Sequence, residues 1–482
     1  MPEPRQPGIW PANGTALLLS LGLLALLIYS STLVGPAGIN FVPRSPADAW
    51  NAFLHMRFVP HGSDQQADWM GNLLALVPYG FLVAATLWPR RIGWLKPFAF
   101  VVALAWCVVT VLAVKYLQLF FPPRTVTLNY VLAQSLGCLI GCAGFVLWHE
   151  TVGPTLLRRR DPVAALVTLL RLYLIALVVF VLMPLDFALQ PADLAAQIAR
   201  LPETLTAVPG AGRPVAIRVL VIVASVSAFV PVGMLLAFTK VAGRYRVGRG
   251  TVAAVTRGFC LAVALFILST LVLSASPAAI AILYRTLGIA IGAAGLSWLV
   301  RQDLLRVRAR AAATVPWLVI PYLLALALAN QLVSGAWRSW PDAMAQTNPL
   351  GWLPLYDYYI VTKAEAAKNL VGHALMYLPV GLAVWLCAPR TGRMALAFCL
   401  GASLSMLVEV ARYLRPGLEG DINAVAVGGL AAALALPLLD LAWALLAAIA
   451  RRSASVPAPR SRDRRDLAPP PAGRAAGDVE EY

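Results

Sequence analysis

The chain has 482 residues, of which 60% are hydrophobic and only 13% are charged, and its mean hydropathy is +0.74. Soluble domains carry about 25% charged residues, so this composition excludes an ordinary soluble fold and indicates a protein of the lipid bilayer. The net charge of +17 does not indicate nucleic-acid binding, because the basic residues lie in short loops between apolar segments rather than on one patch.

Twelve apolar segments are each long enough to cross a bilayer, which takes about 20 residues of helix. In chain order they cover residues 14–34, 69–88, 98–120, 127–149, 163–185, 217–238, 255–274, 278–300, 314–334, 369–388, 394–414 and 424–449. The first segment is too long for the apolar part of a signal peptide and is expected to remain as a helix. The sequence therefore predicts an all-α polytopic membrane protein.

The charges of the loops orient these helices, because Lys and Arg in short loops are retained on the cytoplasmic side. With the N-terminus inside, the cytoplasmic segments hold 25 of the Lys and Arg residues and the opposite loops hold nine. Those opposite loops also hold eleven of the 22 acidic residues. Both termini are therefore predicted to be cytoplasmic.

The three longest connections, near residues 35–68, 186–216 and 335–368, recur every four helices. A Pro-x-Gly sequence recurs with them at Pro78, Pro231 and Pro379, at intervals of 153 and 148 residues. This internal repeat predicts three four-helix units, at residues 14–149, 163–300 and 314–449. Residues 451–482 are rich in Arg, Pro, Ser and Ala and are predicted to form a disordered cytoplasmic tail.

Small residues recur on the fourth helix of each unit, where they would allow close helix approach in lipid. They are Gly137 with Gly141, Gly288 with Gly292, and the pair Gly428-Gly429. All six cysteines lie in apolar segments without a CxxC pair or a neighbouring His, so we expect small core residues and no metal site. No nucleotide-binding or hydrolase motif is present, and no cofactor is predicted.

The last unit carries the densest group of polar residues, near the outer ends of its helices. Glu409 and Arg412 are three residues apart, so they share a helix face and can neutralise each other. Arg415 and Asp421 follow, and His373 lies near the outer end of the preceding helix. Ionisable residues at membrane depth are costly and usually mark function, although a structural ion pair between helices would give the same pattern.

The other two units retain less of this set. In the first unit Asn72 stands at the position of His373, and Lys115, Gln118 and Arg124 follow where the last unit has its acidic group. The middle unit keeps hydroxyl side chains and one arginine at this depth: Ser225, Ser269, Thr270 and Arg285. We therefore interpret the middle unit as a scaffold copy.

These residues resemble the VanZ-like membrane family, which has Asn and Pro-x-Gly on one helix, Glu-x-x-Gln ending the next, then Arg, Asp and a Gly-rich helix. The last unit matches at Pro379, Gly381, Glu409, Arg415, Asp421 and Gly428, with His373 replacing Asn and Arg412 replacing Gln. The first unit matches at Asn72, Pro78, Gly80, Gln118, Arg124, Gly137 and Gly141, with Lys115 replacing Glu and Tyr130 replacing Asp. The resemblance implies a bacterial cell-envelope protein with a link to resistance to the glycopeptide teicoplanin, and it implies no reaction.

Three functions remain open. The first is a multi-pass protein of the bacterial inner membrane that binds an anionic lipid-linked or cell-wall headgroup, since the planar fork of Arg suits phosphate. Its ligand-binding residues would be Arg412, Arg415, Asn72, Lys115, Gln118 and Arg124. The second is an intramembrane hydrolase or transferase, with Glu409, His373 or Asp421 as the catalytic candidates. The third is a transporter with parallel repeats. The sequence does not determine the oligomeric state.

The predicted topology can be tested with reporter fusions. A reporter after residue 245 should be cytoplasmic and one after residue 345 should be extracytoplasmic, because the loop charges place these two segments on opposite sides. The side of the membrane on which each reporter lies is measured by its protection from a membrane-impermeant reagent. The reverse pattern would move the polar cluster of the last unit to the cytoplasmic face.

Overall fold

The computed structural model consists almost entirely of helices. It describes residues 13–34, 38–58, 63–89, 93–122, 126–154, 161–188, 190–207, 215–241, 244–247, 251–273, 277–333, 335–345, 363–418 and 420–454, and the single positions 275, 353, 356 and 361. The long helices are α1 (Gly14–Thr32), α2 (Ser63–Leu87), α3 (Lys96–Gln118), α4 (Leu128–Leu147), α5 (Pro162–Leu182), α6 (Val215–Leu236), α7 (Thr251–Thr270), α8 (Ala281–Leu299), α9 (Leu304–Ala329), α10 (Lys363–Cys387), α11 (Arg393–Tyr413) and α12 (Ile422–Ala454).

All twelve are long and apolar enough to cross a membrane, so the prediction of a polytopic α-helical membrane protein is confirmed. The ends of some helices were placed wrongly. Helix α9 begins at Leu304, ten residues before the predicted start, because Asp303 caps it by accepting a hydrogen bond from the backbone of Leu305. The first turns of α9 are rich in arginine. Arg is a good helix former, but a search for apolar segments does not detect helical turns made of charged residues.

The predicted tail begins inside a helix rather than after one. Helix α12 continues to Ala454, three residues beyond the predicted boundary at Arg451, and residues 455–482 lie outside the described part of the chain. The extension contains Arg451, a basic residue of the kind that favours a helix C-terminus by interaction with the helix dipole.

The long connections contain short elements that hydropathy did not predict. The helical ones are Pro46–Leu54, Pro191–Ala199, Leu201–Thr206, Trp340–Ala345, the 3₁₀ turn Gly93–Leu95 and the π turn Trp148–Val152. Two small antiparallel hairpins pair β1 (Leu33–Val34) with β2 (Gly38–Ile39) and β3 (Phe238–Val241) with β4 (Arg244–Val247). Proline in the first turn starts several of these helices, since its fixed φ suits that position.

Helices α2 and α4 touch backbone to backbone. A Cβ atom added to Gly137 or Gly141 of α4 would overlap the carbonyl oxygens of Leu73 and Val77 in α2. A Cβ atom on Gly80 of α2 would in turn overlap a carbonyl oxygen of α4. Lipid chains are as apolar as leucine, so helices in a bilayer associate through such close packing rather than through the hydrophobic effect.

Helices α6 and α8 pack in the same way. Added Cβ atoms on Gly288 and Gly292 of α8 would overlap the carbonyl oxygens of Val226 and Val230 in α6, five and one residues before Pro231. The overlaps between α4 and α2 occur at these same two offsets from Pro78. The middle third of the chain therefore uses glycine for the same helix contact as the first third.

The last third departs from this pattern. Gly381 of α10 lies against the carbonyl oxygen of Ala432 in α12, but Gly428 and Gly429 face Ser405 and Phe398 of α11 instead. The expectation that glycines of the fourth helix bring it close to another helix is correct here, but the closest neighbour is α11. Ala432 and Ala435 of α12 lie against Gly381 of α10.

The thirds of the chain contact each other through their apolar faces. Buried residues of α5, α8 and α12 form one core, with Leu166, Leu296 and Leu445 among its members. Helix α10 also lies against α2, and α6 lies against α9. The Pro-x-Gly prolines lie inside α2, α6 and α10 as expected, and further prolines lie inside α9 and α12.

The expectation that all six cysteines are core residues is wrong for three of them. Cys107, Cys138 and Cys142 are buried between α2, α3 and α4. The others, Cys260, Cys387 and Cys399, are exposed on the apolar surfaces of their helices. Apolar segments of a membrane protein face lipid as well as the core, so apolarity alone does not predict burial.

The glycine contact predicts a sharp difference between two neighbouring positions of α4. Gly141→Ala should destabilise the protein by about 1–3 kcal/mol, because its methyl group would overlap the backbone of α2. Gly144→Ala is the matched control, since nothing lies within 4 Å of its added Cβ atom. Thermal unfolding in detergent should show a lower Tm for the first variant only. Equal Tm values would contradict the backbone contact.

Candidate functional site

Helices α10, α11 and α12 bring four of the predicted residues together. Glu409 is buried on α11, and Arg412 Nη1 lies 3.1 Å from Glu409 Oε2 and 3.3 Å from Oε1. The backbone N–H of Asp421 donates to Glu409 Oε2 at 2.9 Å. His373 on α10 lies within electrostatic range of Arg412 and Asp421. We call Glu409, Arg412, Asp421 and His373 the outer cluster.

Asp421 has a capping role within the outer cluster. Its Oδ1 accepts hydrogen bonds from the backbone N–H of Asn423 at 2.7 Å and from the Asn423 side chain at 2.8 Å. A carboxylate at this position satisfies a backbone donor at the start of α12 and interacts favourably with the helix dipole. The start of α12 is thus tied to α11 through Glu409.

Arg415 points away from the outer cluster. Its guanidinium donates to the carbonyl oxygens of Gly335 at 2.6 Å, Ala336 at 3.1 Å and Gln331 at 3.1 Å. It also lies 5.3 Å from the centre of the Trp337 ring, which is a cation–π distance. Arg415 is buried, so these contacts make it a clamp on the segment after α9.

Arg338 fastens the same segment from the other side. Its side chain donates to the carbonyl oxygens of Tyr413 and Leu418, and its backbone N–H donates to that of Leu414. The segment after α9 is therefore held against the outer end of α11. Sequence reasoning missed Arg338, because an arginine in a long loop has no periodic pattern to mark its partners.

The first third holds a second buried polar group on α2, α3 and α4. The amide of Asn72 donates to the carbonyl oxygen of Asp68 at 2.8 Å and accepts from Gln134 Nε2 at 2.9 Å. Lys115 Nζ donates to Gln118 Oε1 at 3.0 Å and lies 5.4 Å from the centre of the Tyr130 ring. We call Asn72, Lys115, Gln118 and Gln134 the first-unit cluster.

Gln134 was absent from the predicted ligand-binding set, although a signal was available. It precedes Gly137 by three residues and so lies on the helix face that contacts α2. Its Oε1 is buried without a hydrogen-bond partner among the described residues. The cost of an unsatisfied buried acceptor makes this atom a candidate contact for a donor from a ligand or water. Arg124 lies outside the described residues.

Each cluster contains a pair of side chains three residues apart on one helix, but the two pairs differ in charge. In α11 an acid and a base three residues apart form an ion pair, whereas in α3 a lysine bonds to a glutamine at that spacing. The middle third contributes Arg285, which lies 5.6 Å from the centre of the Phe229 ring and whose Nη1 is buried without a hydrogen-bond partner among the described residues. Its hydroxyl groups bond to their own helices, as Ser225 and Ser269 do.

The chemistry available at these clusters is hydrogen bonding and charge. Within the described residues, no group of three or more His, Cys, Asp and Glu side chains is arranged to hold a metal ion. Arg412 keeps donors beyond those bonded to Glu409, and its side chain is 22% exposed, against 6% for Glu409. The outer cluster can therefore offer a fixed guanidinium to an anion.

Comparison with known proteins gives one family. Residues 16–149 match the family model described as VanZ/LLP1, and this range contains nearly all of α1 and the whole of α2, α3 and α4. No curated protein and no solved structure matches the chain. The resemblance noted in the sequence is confirmed for this part of the chain.

The clamp formed by Arg415 can be tested by substitution. Arg415→Ala should free the segment after α9 and destabilise the protein by on the order of 3 kcal/mol, because three charge-assisted hydrogen bonds are lost. Limited proteolysis should show faster cleavage between residues 331 and 345. Arg306→Ala is the control, since that side chain is 81% exposed. Unchanged cleavage in Arg415→Ala would contradict the clamp.

Proposed function

Since the first four-helix unit is a VanZ/LLP1 domain in a multi-pass membrane protein, we propose that the chain is a cell-envelope protein of the bacterial inner membrane that binds an anionic lipid-linked or cell-wall headgroup. The outer cluster would hold the anion, with Arg412 as the principal contact. Such binding would contribute to glycopeptide resistance of the teicoplanin type.

The bonding of Glu409 carries this proposal. Its two carboxylate oxygens accept from Arg412 and from the backbone N–H of Asp421. A partly exposed arginine side chain held on one edge by a carboxylate is oriented in advance, so little conformational entropy is lost when an anion binds its remaining donors. Glu409 would thus act as a positioning residue for Arg412.

The same bonding argues against Glu409 as a general base. A base must be able to take a proton from its substrate within hydrogen-bond reach. Glu409 already accepts from a guanidinium and a backbone amide, and its side chain is only 6% exposed. These contacts favour binding over hydrolysis or group transfer at this position.

The first-unit cluster would supply a second contact for the same class of ligand. Lys115 is a buried ammonium group at membrane depth, held by Gln118 and the Tyr130 ring, and its positive charge favours an anionic ligand nearby. The free Oε1 of Gln134 could accept from a hydroxyl or amide of the ligand. Arg415 would hold the segment after α9 rather than the anion.

We also propose that the chain contains three copies of the four-helix unit. The support comes from the second and fourth long helices of each third, which lie in close contact in all three cases. The glycine of each Pro-x-Gly sequence lies against a carbonyl oxygen of the fourth helix, at Cys138, Ile289 and Ala432. We also propose that both termini are cytoplasmic, an orientation supported by the loop charges.

Binding of a polyprenyl phosphate to the full chain in lipid nanodiscs tests the function. The protein should bind the phosphate and not the matching polyprenol. Arg412→Gln should weaken the affinity by about tenfold or more, the loss expected for one charge-assisted hydrogen bond. Cells carrying Arg412→Gln should lose any protection against teicoplanin that the unaltered protein gives.

Arg306→Gln is the matched control and should bind as the unaltered protein does, because its side chain lies far from the cluster in sequence and is largely exposed. Equal affinity for phosphate and alcohol, or full affinity in Arg412→Gln, would contradict the proposal. Release of phosphate by the unaltered protein but not by Glu409→Gln would instead establish an enzyme.

A further inference from the structure

A second group of charged residues lies where the start of α11, the end opposite the outer cluster, meets the middle of α12. Asp440 of α12 accepts a hydrogen bond from Trp385 Nε1 at 2.9 Å and forms an ion pair with Arg393 at the start of α11. Arg393 precedes Glu409 by 16 residues, which is about 24 Å along a helix. Loop charges place this end on the cytoplasmic side.

The ion pair fixes the geometry of this end. Arg393 is only 8% exposed, and a buried guanidinium without a counter-charge would be strongly destabilising. The Asp440 side chain is 43% exposed, so its carboxylate neutralises Arg393 while remaining open to solvent or to a ligand. The Trp385 indole holds the carboxylate in place, and Arg308 lies 4.3 Å from the centre of the Trp385 ring and donates to the Trp385 carbonyl oxygen.

A cavity of about 320 Å³ adjoins this pair. Its charged walls are Arg390, Arg393 and Asp440. Met394, Leu436 and Pro437 form its apolar walls. Two arginines therefore face one carboxylate in a space large enough for a small polar group, beside a surface suited to hydrocarbon.

This combination matches a phospholipid headgroup that carries both a phosphate and an ammonium group. We propose that the cavity binds an inner-leaflet phospholipid of the phosphoethanolamine type. Arg390 binds the phosphate, assisted by the positive end of the α11 dipole, and the exposed part of the Asp440 carboxylate accepts from the ammonium group. The acyl chain lies along Met394 and Pro437, the exposed apolar residues of the cavity wall.

Native mass spectrometry of the full chain with added phosphatidylethanolamine tests the site. Arg390→Gln should reduce lipid retention by about tenfold, since one charge-assisted contact to phosphate is lost. Met394→Trp should reduce retention similarly by filling the cavity. Asp440→Asn should remove the preference for phosphatidylethanolamine over phosphatidylglycerol. Arg306→Gln, which lies outside the cavity, should retain lipid normally.

Three outcomes would overturn the proposal. Full retention in both Arg390→Gln and Met394→Trp would show that the lipid binds elsewhere. Displacement of the lipid by millimolar inorganic phosphate would show that the cavity recognises a free anion. Equal retention of phosphatidylglycerol by the unaltered protein would remove the role of Asp440 in recognising the ammonium group. Arg390 and Met394 are both exposed, so their variants should fold even where Asp440→Asn does not.

Discussion

The backbone contact between the second and fourth helices of each third is the constraint on which the rest of the molecule depends. Apolar side chains gain little by leaving lipid for protein, so these helices associate through close packing at glycine and alanine. The contact sets how Gln134 of α4 meets Asn72 of α2. In the last third, Gly428 and Gly429 of α12 lie closest to α11. The ion pair of Glu409 lies on α11 near this contact.

The polar groups at the two ends of the last third have different surroundings. At the outer end, Glu409 is buried and its partner Arg412 is partly exposed, so the accessible charge there is positive. At the other end, Arg393 is buried and its partner Asp440 is partly exposed, so the accessible charge there is negative. Each pair neutralises its buried member and leaves the opposite charge partly exposed, so the two ends of α11 present different charges.

Hydropathy and loop charge were sufficient to predict the number and type of the helices, because a bilayer requires a minimum apolar length. They could not predict that α9 begins within an arginine-rich segment, since capping by Asp303 is a local hydrogen bond. Spacing predicted that Glu409 meets Arg412, and the resemblance predicted the family that residues 16–149 match. The partners of Arg415 lie about 80 residues away in sequence, and no periodicity links residues so distant.

Helices α11 and α12 are fastened at two levels, by Glu409 to the backbone of Asp421 just before α12 and by Arg393 to Asp440 in the middle of α12. A slide of one helical turn, about 5.4 Å, would break both attachments at once. The two helices must therefore move as one rigid body in any rearrangement of this third. Helix α9, the least buried of the twelve candidate membrane helices, is attached to α10 by hydrogen bonds from Arg308 and Tyr322.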